Sequence, residues 1–302
     1  MRKYLQLVRL PNLFTAMADV TMGFLFTHAA FGRGDAWVFA LLLAASSLLY
    51  AAGVVLGDVF DVKIDARERP HRPLPSGRVS LAAARWLAWE LLLVGAALAW
   101  LAAFLADDVR PGIVATLLAS IVVLYDVLVK RTPLGPLAMG ACRMLNVLLG
   151  MSGAAGSWRD EHWLVAAAIG TYIVGVTWFA RTEAGRSNRW HLGLATAVMV
   201  AGIGLLAVLP GRCDHVVPIL RQEPFRWTLL MAVVTGVIGF RALRAVVEPV
   251  PWRVQMVVKQ CILSLVVLDA AACFVVRGIP GAAAVLLLLV PTVILGRWIE
   301  ST

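Results

Sequence analysis

Residues 57–65 read Gly57-Asp58-Val59-Phe60-Asp61-Val62-Lys63-Ile64-Asp65 and end a long apolar run. The i, i+3 and i+7 spacing of the three aspartates places their carboxylates within about 60° of arc on one helix face. Like charges held this closely repel one another unless a cation lies between them. Mg²⁺ suits that position, because it prefers one or two carboxylates together with phosphate oxygens. We therefore predict that Asp58, Asp61 and Asp65 hold Mg²⁺.

The next residues form a basic loop, Ala66-Arg67-Glu68-Arg69-Pro70-His71-Arg72-Pro73-Leu74-Pro75-Ser76-Gly77-Arg78. Its three prolines forbid a continuous helix and stiffen the loop, so its arginines are held in place. Guanidinium groups suit phosphate oxygens. Carboxylates, metal and arginines together predict a diphosphate site at a membrane surface. The alternative is an acidic helix end that runs into a solvated, positive loop, and the residues alone leave both interpretations open.

The chain as a whole has the composition of a membrane protein. Of its 302 residues, 61% are hydrophobic and 15% are charged, and the mean hydropathy is +0.84. Repeated apolar runs of about 20 residues predict an all-α polytopic membrane protein with nine to ten transmembrane helices. The connections are too short for a soluble domain, so we predict a single transmembrane domain over residues 1–302. The predicted segments are 11–30, 36–57, 81–105, 112–129, 135–155, 163–181, 190–210, 227–247, 254–276 and 279–296.

The net charge of +9 could indicate a nucleic-acid partner. The basic residues lie at the ends of the predicted spans, however, so membrane orientation explains them better and we predict no nucleic acid. With a cytoplasmic N-terminus most of them fall on the inner side, as the positive-inside rule requires. The aspartates then face the cytoplasm, and we expect the membrane to be a bacterial inner membrane. The four cysteines lack metal-ligand or CxxC spacing and are predicted to be core residues.

The fourth predicted segment ends in Leu124-Tyr125-Asp126-Val127-Leu128-Val129-Lys130-Arg131. The Tyr125 ring lies a turn or more deeper than Lys130 and can steady a cation. An acid near hydrocarbon, such as Asp126, is costly unless it is paired. Lys130 can neutralise a diphosphate, and the alternative is that it only anchors the helix at the interface.

The fifth predicted segment carries Arg143 and Asn146, which are neighbours on one helix face. An unpaired arginine at this depth costs from about 3 to over 10 kcal/mol, so Arg143 has to face the bundle interior and a partner. We favour a binding role for both residues; the alternative is a purely structural salt bridge of Arg143, for example with Asp126. Lys259 and Asp269 lie within one later segment, too far apart to pair with each other, and need partners elsewhere.

The sixth predicted segment ends in Arg181-Thr182-Glu183-Ala184-Gly185-Arg186. Glu183 is the one acid there and lies four segments after Asp61, so both helix ends emerge on the same side of the membrane. A parallel internal repeat has this arrangement, with a site between its halves.

These motifs resemble the UbiA superfamily of intramembrane prenyltransferases. The family's first motif reads Asn-Asp-x-x-Asp-x-x-x-Asp and precedes an Arg-Pro-Leu-Pro-Ser-Gly loop, which correspond here to residues 57–65 and 72–77. The resemblance implies a helical bundle around a central cavity. It also implies Mg²⁺ at two acidic motifs and prenyl transfer from an isoprenyl diphosphate to an apolar acceptor, aromatic ones included. Further similarity lies in Arg9-Leu10-Pro11-Asn12, in Tyr125 with Lys130-Arg131, and in Gly140, Arg143 and Asn146.

Two departures from the family pattern matter. Gly57 stands where the family has asparagine, and residues 181–186 replace the second aspartate-rich motif with the single acid Glu183. One carboxylate cannot hold a second metal as several do. We therefore predict one Mg²⁺, with Arg181 and Arg186 bound directly to the diphosphate. The pattern resembles the EboC-like branch of the superfamily, so the acceptor does not transfer from better-known members.

The leading interpretation is thus a Mg²⁺-dependent prenyltransferase in the lipid bilayer. One alternative is a terpene cyclase that ionises the same diphosphate, and another is a non-catalytic protein that binds or transports lipid diphosphates. The predicted catalytic residues are Asp58, Asp61, Asp65 and Tyr125, the first three also being the metal ligands. The predicted substrate-binding residues are Arg72, Lys130, Arg143, Asn146, Arg181, Glu183 and Arg186.

Overall fold

The computed structural model of the chain describes residues 2–28, 32–181 and 188–298. Within these ranges the regular structure is helical and contains no strand, which confirms the all-α class. A π-helical turn (Tyr125–Val129) extends α5, and a 3-10 turn (Leu209–Gly211) follows α8. The helices are α1 (Arg2–Leu7), α2 (Leu10–Thr27), α3 (Asp35–Glu68), α4 (Leu81–Ala106), α5 (Arg110–Leu124), α6 (Gly135–Met151), α7 (Asp160–Ala180), α8 (Arg189–Ala207), α9 (Pro218–Gln222), α10 (Pro224–Val247), α11 (Pro251–Leu286) and α12 (Leu289–Trp298).

Seven helical stretches in the described part of the chain are long and apolar enough to cross a membrane. One of them is the 48-residue stretch Pro251–Trp298, which joins α11 and α12. The helix α6 is apolar but shorter, with 17 residues, and α2 carries the buried acid Asp19 among its 18 residues. The chain is therefore an integral membrane protein, as predicted, whereas the number of nine to ten transmembrane helices stays a prediction.

The ninth and tenth predicted segments run together in α11. Gly278 adopts φ 63° and ψ −154° inside this helix, and Pro280 follows it. Glycine accepts this conformation without strain, and proline cannot donate the helical hydrogen bond, so the chain bends here. A turn at residues 287–288 then separates α12. The predicted segment 279–296 is thus split between the end of α11 and α12.

The helix α2 packs against both α6 and α11. A Cβ atom built on Gly150 of α6 would clash with the backbone carbonyl of Val20 on α2, so glycine is what allows this close approach. Small residues at helix crossings are typical of membrane bundles, because they let backbones come together. The crossing sets Asp19 of α2 against Arg143 of α6.

The cysteine prediction is confirmed for most of the set. Cys142, Cys261 and Cys273 are buried, Cys213 is half-buried, and all four are free thiols. The backbone carbonyl of Cys261 accepts a 3.0 Å hydrogen bond from the Tyr172 hydroxyl, which ties α7 to α11 inside the core.

The π-helical turn changes the end of α5. The Lys130 backbone N–H donates to the Tyr125 carbonyl five residues earlier, at 2.8 Å. Such single π turns are frequent at functional sites. Here the turn buries Asp126 and brings Lys130 beside the last turns of α3. The apolar pattern predicted a helix through residue 129 but could not show this local widening.

Candidate functional site

A cavity of about 750 Å³ opens at one end of the bundle, where α3, α5 and α7 end and α2 and α6 begin. Every predicted site residue within the described ranges lines it. Glu183 and Arg186, by contrast, lie outside the described residues. The fold thus brings distant motifs around one space, and the roles assigned to them stay predictions. The predicted residues that line the cavity are Asp58, Asp61, Asp65, Arg72, Tyr125, Lys130, Arg143, Asn146 and Arg181.

Asp58 and Asp65 are buried on α3 and share the loop residue Arg72. The Arg72 guanidinium donates to Asp65 Oδ2 at 2.7 Å and lies 3.5 Å from Asp58 Oδ1. Arg9, at the start of α2, donates to the same Asp58 oxygen at 2.9 Å. Arg72 is only 7% exposed, so its charge is held in the wall of the cavity by the two acids.

Local hydrogen bonds hold the backbone that carries Arg72. The Ser76 hydroxyl donates to the Arg72 carbonyl at 2.6 Å. The Val79 backbone N–H donates to the Pro73 carbonyl at 3.1 Å. These bonds add to the restriction that the prolines impose, so the loop presents its buried guanidinium in a defined direction, as its composition predicts.

Asp61 meets the residues that follow the π turn. Lys130 Nζ lies 2.5 Å from Asp61 Oδ2, and Arg131 Nη2 lies 2.9 Å from Asp61 Oδ1. The same ammonium group lies 3.6 Å from Asp126 Oδ1. Gly57 makes room for this arrangement: a Cβ atom there would lie 3.1 Å from Asp126 Oδ1 and 3.2 Å from Lys130 Nζ. Glycine at position 57, where the family has asparagine, thus leaves space that the side chains of Lys130 and Asp126 fill.

The carboxylates of Asp58, Asp61 and Asp65 share the predicted helix face, but basic side chains lie between them. Within the described ranges, no group of three or more His, Cys, Asp or Glu side chains is arranged to hold a metal ion. The prediction that Asp58, Asp61 and Asp65 hold Mg²⁺ therefore stays a prediction, since these carboxylates are paired with basic side chains here. Mg²⁺ takes one or two carboxylates together with phosphate oxygens. The donor set thus fits a metal that binds with a diphosphate, and does not form an all-protein cage.

Arg143 lies deeper in the cavity wall and has a buried partner. Its Nη1 donates to Asp19 Oδ2 at 2.7 Å, and its Nη2 donates to the Thr15 hydroxyl at 2.8 Å. The guanidinium carbon lies 5.6 Å from the centre of the Tyr50 ring. The alternative, a structural salt bridge of Arg143, is thus present, but its partner is Asp19 and not the suggested Asp126.

Asn146 is held by the same acid. Its side-chain amide donates to Asp19 Oδ2 at 2.8 Å and to the Ala16 carbonyl at 2.9 Å. Its oxygen accepts a 2.6 Å hydrogen bond from the Ser46 hydroxyl. Three helices, α2, α3 and α6, are therefore joined at this point of the wall.

Tyr125 and Arg181 stand nearer the mouth of the cavity. Tyr125 is half-buried at the beginning of the π turn, with its ring among the lining residues. Arg181 is exposed at the end of α7, and its guanidinium donates to the Thr132 carbonyl at 2.7 Å. This bond ties the end of α7 to the loop before α6.

Sequence reasoning left Arg9, Tyr50 and Asp19 without a role. Arg9 belongs to the opening motif that resembles the family, so the sequence alone could have indicated a role for it. Asp19 and Tyr50 carried no such indication, because their neighbours lie about a hundred positions away in the chain. Much of the rest of the cavity wall is apolar. Its side chains include Leu49, Leu118, Val122, Met139, Ile173, Val176, Val258 and Ile262.

The charged mouth and the apolar wall together determine which kind of ligand can bind in the cavity. Basic side chains and carboxylates gather at the mouth, where they can meet an anionic head group and a divalent cation. The apolar side chains can receive a hydrocarbon chain and keep water from it. An amphipathic anion, with a phosphate head and a lipid tail, matches both parts.

Comparison with known proteins agrees with this geometry. The model of the UbiA prenyltransferase family matches residues 18–248. The chain is 37% identical over 163 residues to digeranylgeranylglyceryl phosphate synthase of Ignicoccus hospitalis, covering 53% of this chain and 50% of that one. It is 30% identical over 172 residues to the synthase of the same name from Saccharolobus solfataricus, covering 57% of each chain. The chain thus matches about half the length of these relatives.

Solved structures share the fold at low sequence identity. A UbiA homolog from Archaeoglobus fulgidus bound to GPP and Mg²⁺ superposes with a TM-score of 0.65 and 14% identity, covering 94% of this chain and 99% of that one. A structure described as giving insights into digeranylgeranylglyceryl phosphate synthase in membranes has a TM-score of 0.63 and 22% identity, covering 93% and 98%. These structures share the fold, and the family model that matches residues 18–248 confirms the predicted resemblance at the level of the family.

Proposed function

The chain belongs to the UbiA prenyltransferase family, and from that premise we propose that it transfers a prenyl group from an isoprenyl diphosphate to an apolar acceptor within the membrane. The observation that carries this proposal is the single cavity that combines carboxylates and basic side chains at its mouth with an apolar wall. The whole of residues 1–302 acts as one transmembrane domain in this proposal, with its site toward the cytoplasm. The relatives with matching sequences are mostly archaeal, so they lend no support to the predicted bacterial membrane, which stays a prediction.

Asp58 and Asp61 are the residues that would hold Mg²⁺, with Asp65 as the third candidate. When bound, the ion would offset the negative charge that grows on the leaving diphosphate. The neighbouring basic groups, which pair with these carboxylates, suit the phosphate oxygens as new partners. A UbiA homolog bound to both GPP and Mg²⁺ supports this assignment by analogy.

The chain's own residues would act on the diphosphate and on the allylic carbon. The bond between the prenyl C1 and the diphosphate oxygen breaks, its electron pair stays with the diphosphate, and an acceptor atom bonds to C1 and loses a proton. Arg72, Lys130 and Arg143 lower the barrier by neutralising the leaving group as its charge develops. The Tyr125 ring stabilises the allylic cation. The apolar wall excludes water that would otherwise capture that cation.

The acceptor has two candidate classes. An aromatic or other apolar lipid follows from the general family resemblance. A prenylated glyceryl phosphate is favoured by one observation, the names of the relatives that match a continuous half of the chain. We propose the second as the first acceptor to try, because the basic mouth also suits an acceptor phosphate.

Product analysis tests the proposal. Purified protein would be incubated with Mg²⁺, one of four prenyl diphosphates (dimethylallyl, geranyl, farnesyl or geranylgeranyl) and each acceptor class, and both pyrophosphate and lipid products would be measured. Acceptor-dependent pyrophosphate release with a coupled product supports the proposal. Release with a cyclised product and no acceptor indicates a terpene cyclase. Binding without release indicates a lipid-diphosphate binding protein, and either result overturns prenyl transfer.

A further inference from the structure

Two acids face each other behind the cavity wall. Asp19 of α2 and Asp269 of α11 are both 0% exposed, and their carboxyl groups lie within hydrogen-bonding reach of each other. Asp19 does not line the cavity itself, but it contacts Arg143 and Asn146, which do. The sequence indicated that Asp269 needs a partner but did not identify it. That partner is Asp19, which lies 250 positions earlier in the chain.

If both acids are ionised, some of their carboxylate oxygens have no hydrogen-bond donor. Asp19 Oδ2 accepts from Arg143 and from Asn146. Asp19 Oδ1 and both oxygens of Asp269 are buried without a hydrogen-bond donor. A buried acceptor that finds no donor costs free energy, and a buried charge without a donor costs more.

The charges around the pair are also unbalanced. Among the described residues, Arg143 of α6 is the cation that faces the two acids, and Tyr50 of α3 and Cys273 of α11 are neutral neighbours. One guanidinium cannot neutralise two carboxylates. Two acids that share a site in a low-dielectric interior do not both ionise.

We propose that Asp269 is a protonated acid that donates its hydrogen to Asp19 Oδ1. This single proton supplies the missing donor for Asp19 Oδ1 and removes the second negative charge. Asp19 is left as one carboxylate, with Oδ2 turned to Arg143 and Asn146 and Oδ1 bound to Asp269. The three buried side chains Asp19, Asp269 and Arg143 then carry no net charge.

The pair has a consequence for the cavity, and this part rests on the function proposed above. An arginine has five N–H donors, and the bonds to Asp19 and Thr15 fix the plane of the Arg143 guanidinium. Donors left over can meet a substrate oxygen in the cavity. Asp269 is thus a positioning residue: it orients Asp19, and Asp19 orients the two residues that contact substrate.

Infrared spectroscopy tests the proton directly, whether or not the protein proves to be a prenyltransferase. Wild-type protein in lipid nanodiscs at neutral pH should show the C=O stretching band of a protonated carboxyl group, and Asp269→Asn should remove it. Asp126→Asn is the matched control, because it removes another buried acid and should leave the Asp269 band in place. A spectrum in which Asp269→Asn removes only carboxylate absorption would overturn the proposal.

Turnover tests the positioning role with two shape-matched variants. Asp269→Asn keeps an N–H donor for Asp19 and should retain kcat/KM for the prenyl diphosphate within about threefold. Asp269→Leu has no donor and should raise KM by about tenfold or more, the effect of one hydrogen bond to a charged group. Equal KM values in both variants and the wild type would refute positioning. If Asp269→Leu does not fold, retention of KM in Asp269→Asn still decides, since a loss there contradicts the donor role.

Discussion

Lys130 Nζ lies 2.5 Å from Asp61 Oδ2, although 69 positions separate the two residues in the chain. The π turn sets Lys130 at this place, and Gly57 leaves the space that its ammonium group fills. The pair stands at the mouth of the cavity, where we propose that the diphosphate binds. Lys130 is therefore paired with the Asp61 carboxylate when no substrate is bound, and we expect it to bind phosphate oxygens when the diphosphate is present.

The first prediction concerns Asp61. Asp61→Ala should lower turnover by on the order of 100-fold, because it removes both a proposed metal ligand and the anchor of Lys130. The thermal unfolding midpoint should change little, since the partly exposed ion pairs of Asp61 contribute about 0–1 kcal/mol each. Turnover and unfolding would be measured on the same preparation. Glu223→Ala is the control, because Glu223 is paired with Arg226 away from the cavity and its loss should leave turnover intact.

The second prediction concerns Gly57. Gly57→Asn restores the family's residue, but its side chain needs the space of Lys130 Nζ and Asp126 Oδ1. We expect kcat/KM to fall by about tenfold, the effect of displacing one charged hydrogen bond.

Gly204→Ala is the matched control for that variant, since a Cβ atom there meets nothing within 4 Å. If Gly57→Asn turned over as fast as Gly204→Ala, the spatial conflict between residue 57 and Lys130 would be of no functional consequence.

The sequence predicted the parts of the molecule that depend on neighbouring residues. Apolar runs gave the helices, and the i, i+3, i+7 spacing placed three aspartates on one cavity-facing side of α3. Partners across helices could not be predicted, because they depend on packing. Arg143 pairs with Asp19, 124 positions away, through a crossing that Gly150 allows.

The same limit applies to the surroundings of the three aspartates. From a single helix, the sequence showed three like charges that needed a cation, and Mg²⁺ was the simplest choice. The fold supplies cations from elsewhere, with Arg72 from the loop and Lys130 from just after the π turn. Neither neighbour can be placed beside α3 by helical periodicity alone.

The third prediction concerns metal and substrate together. If Asp58 and Asp61 bind Mg²⁺ only with phosphate oxygens, then Mg²⁺ and a prenyl diphosphate should bind cooperatively. The rise in unfolding temperature with both ligands should exceed the sum of the rises with each alone. Removing Mg²⁺ with EDTA should abolish the excess. Strictly additive shifts would contradict a shared site, and Asp61→Ala should make the shifts additive.

The last prediction concerns the arginines after α7. Residues 181–186 hold a single acid where the family has a second aspartate motif, so we expect fixed positive charge to replace a second metal there. Arg181 lines the cavity, while Arg186 lies outside the described residues. Guanidinium groups bind phosphate oxygens without a bridging ion. Arg181→Ala and Arg186→Ala should therefore each weaken prenyl-diphosphate binding by about tenfold to a hundredfold, as expected for a lost charged hydrogen bond.

Arg244→Ala separates that role from ordinary interface charge. Arg244 lies in the last turn of α10, with its guanidinium 4.5 Å from the Phe240 ring and outside the cavity. Its loss should leave diphosphate affinity unchanged, measured by isothermal titration calorimetry in detergent micelles. Arg181 also bonds the Thr132 carbonyl, so unfolding of Arg181→Ala is measured alongside to separate that contact from binding. Affinities within twofold of wild type in both arginine variants would mean that these residues serve only membrane orientation. Binding would then depend on the other basic groups of the cavity, among them Arg72, Lys130 and Arg143.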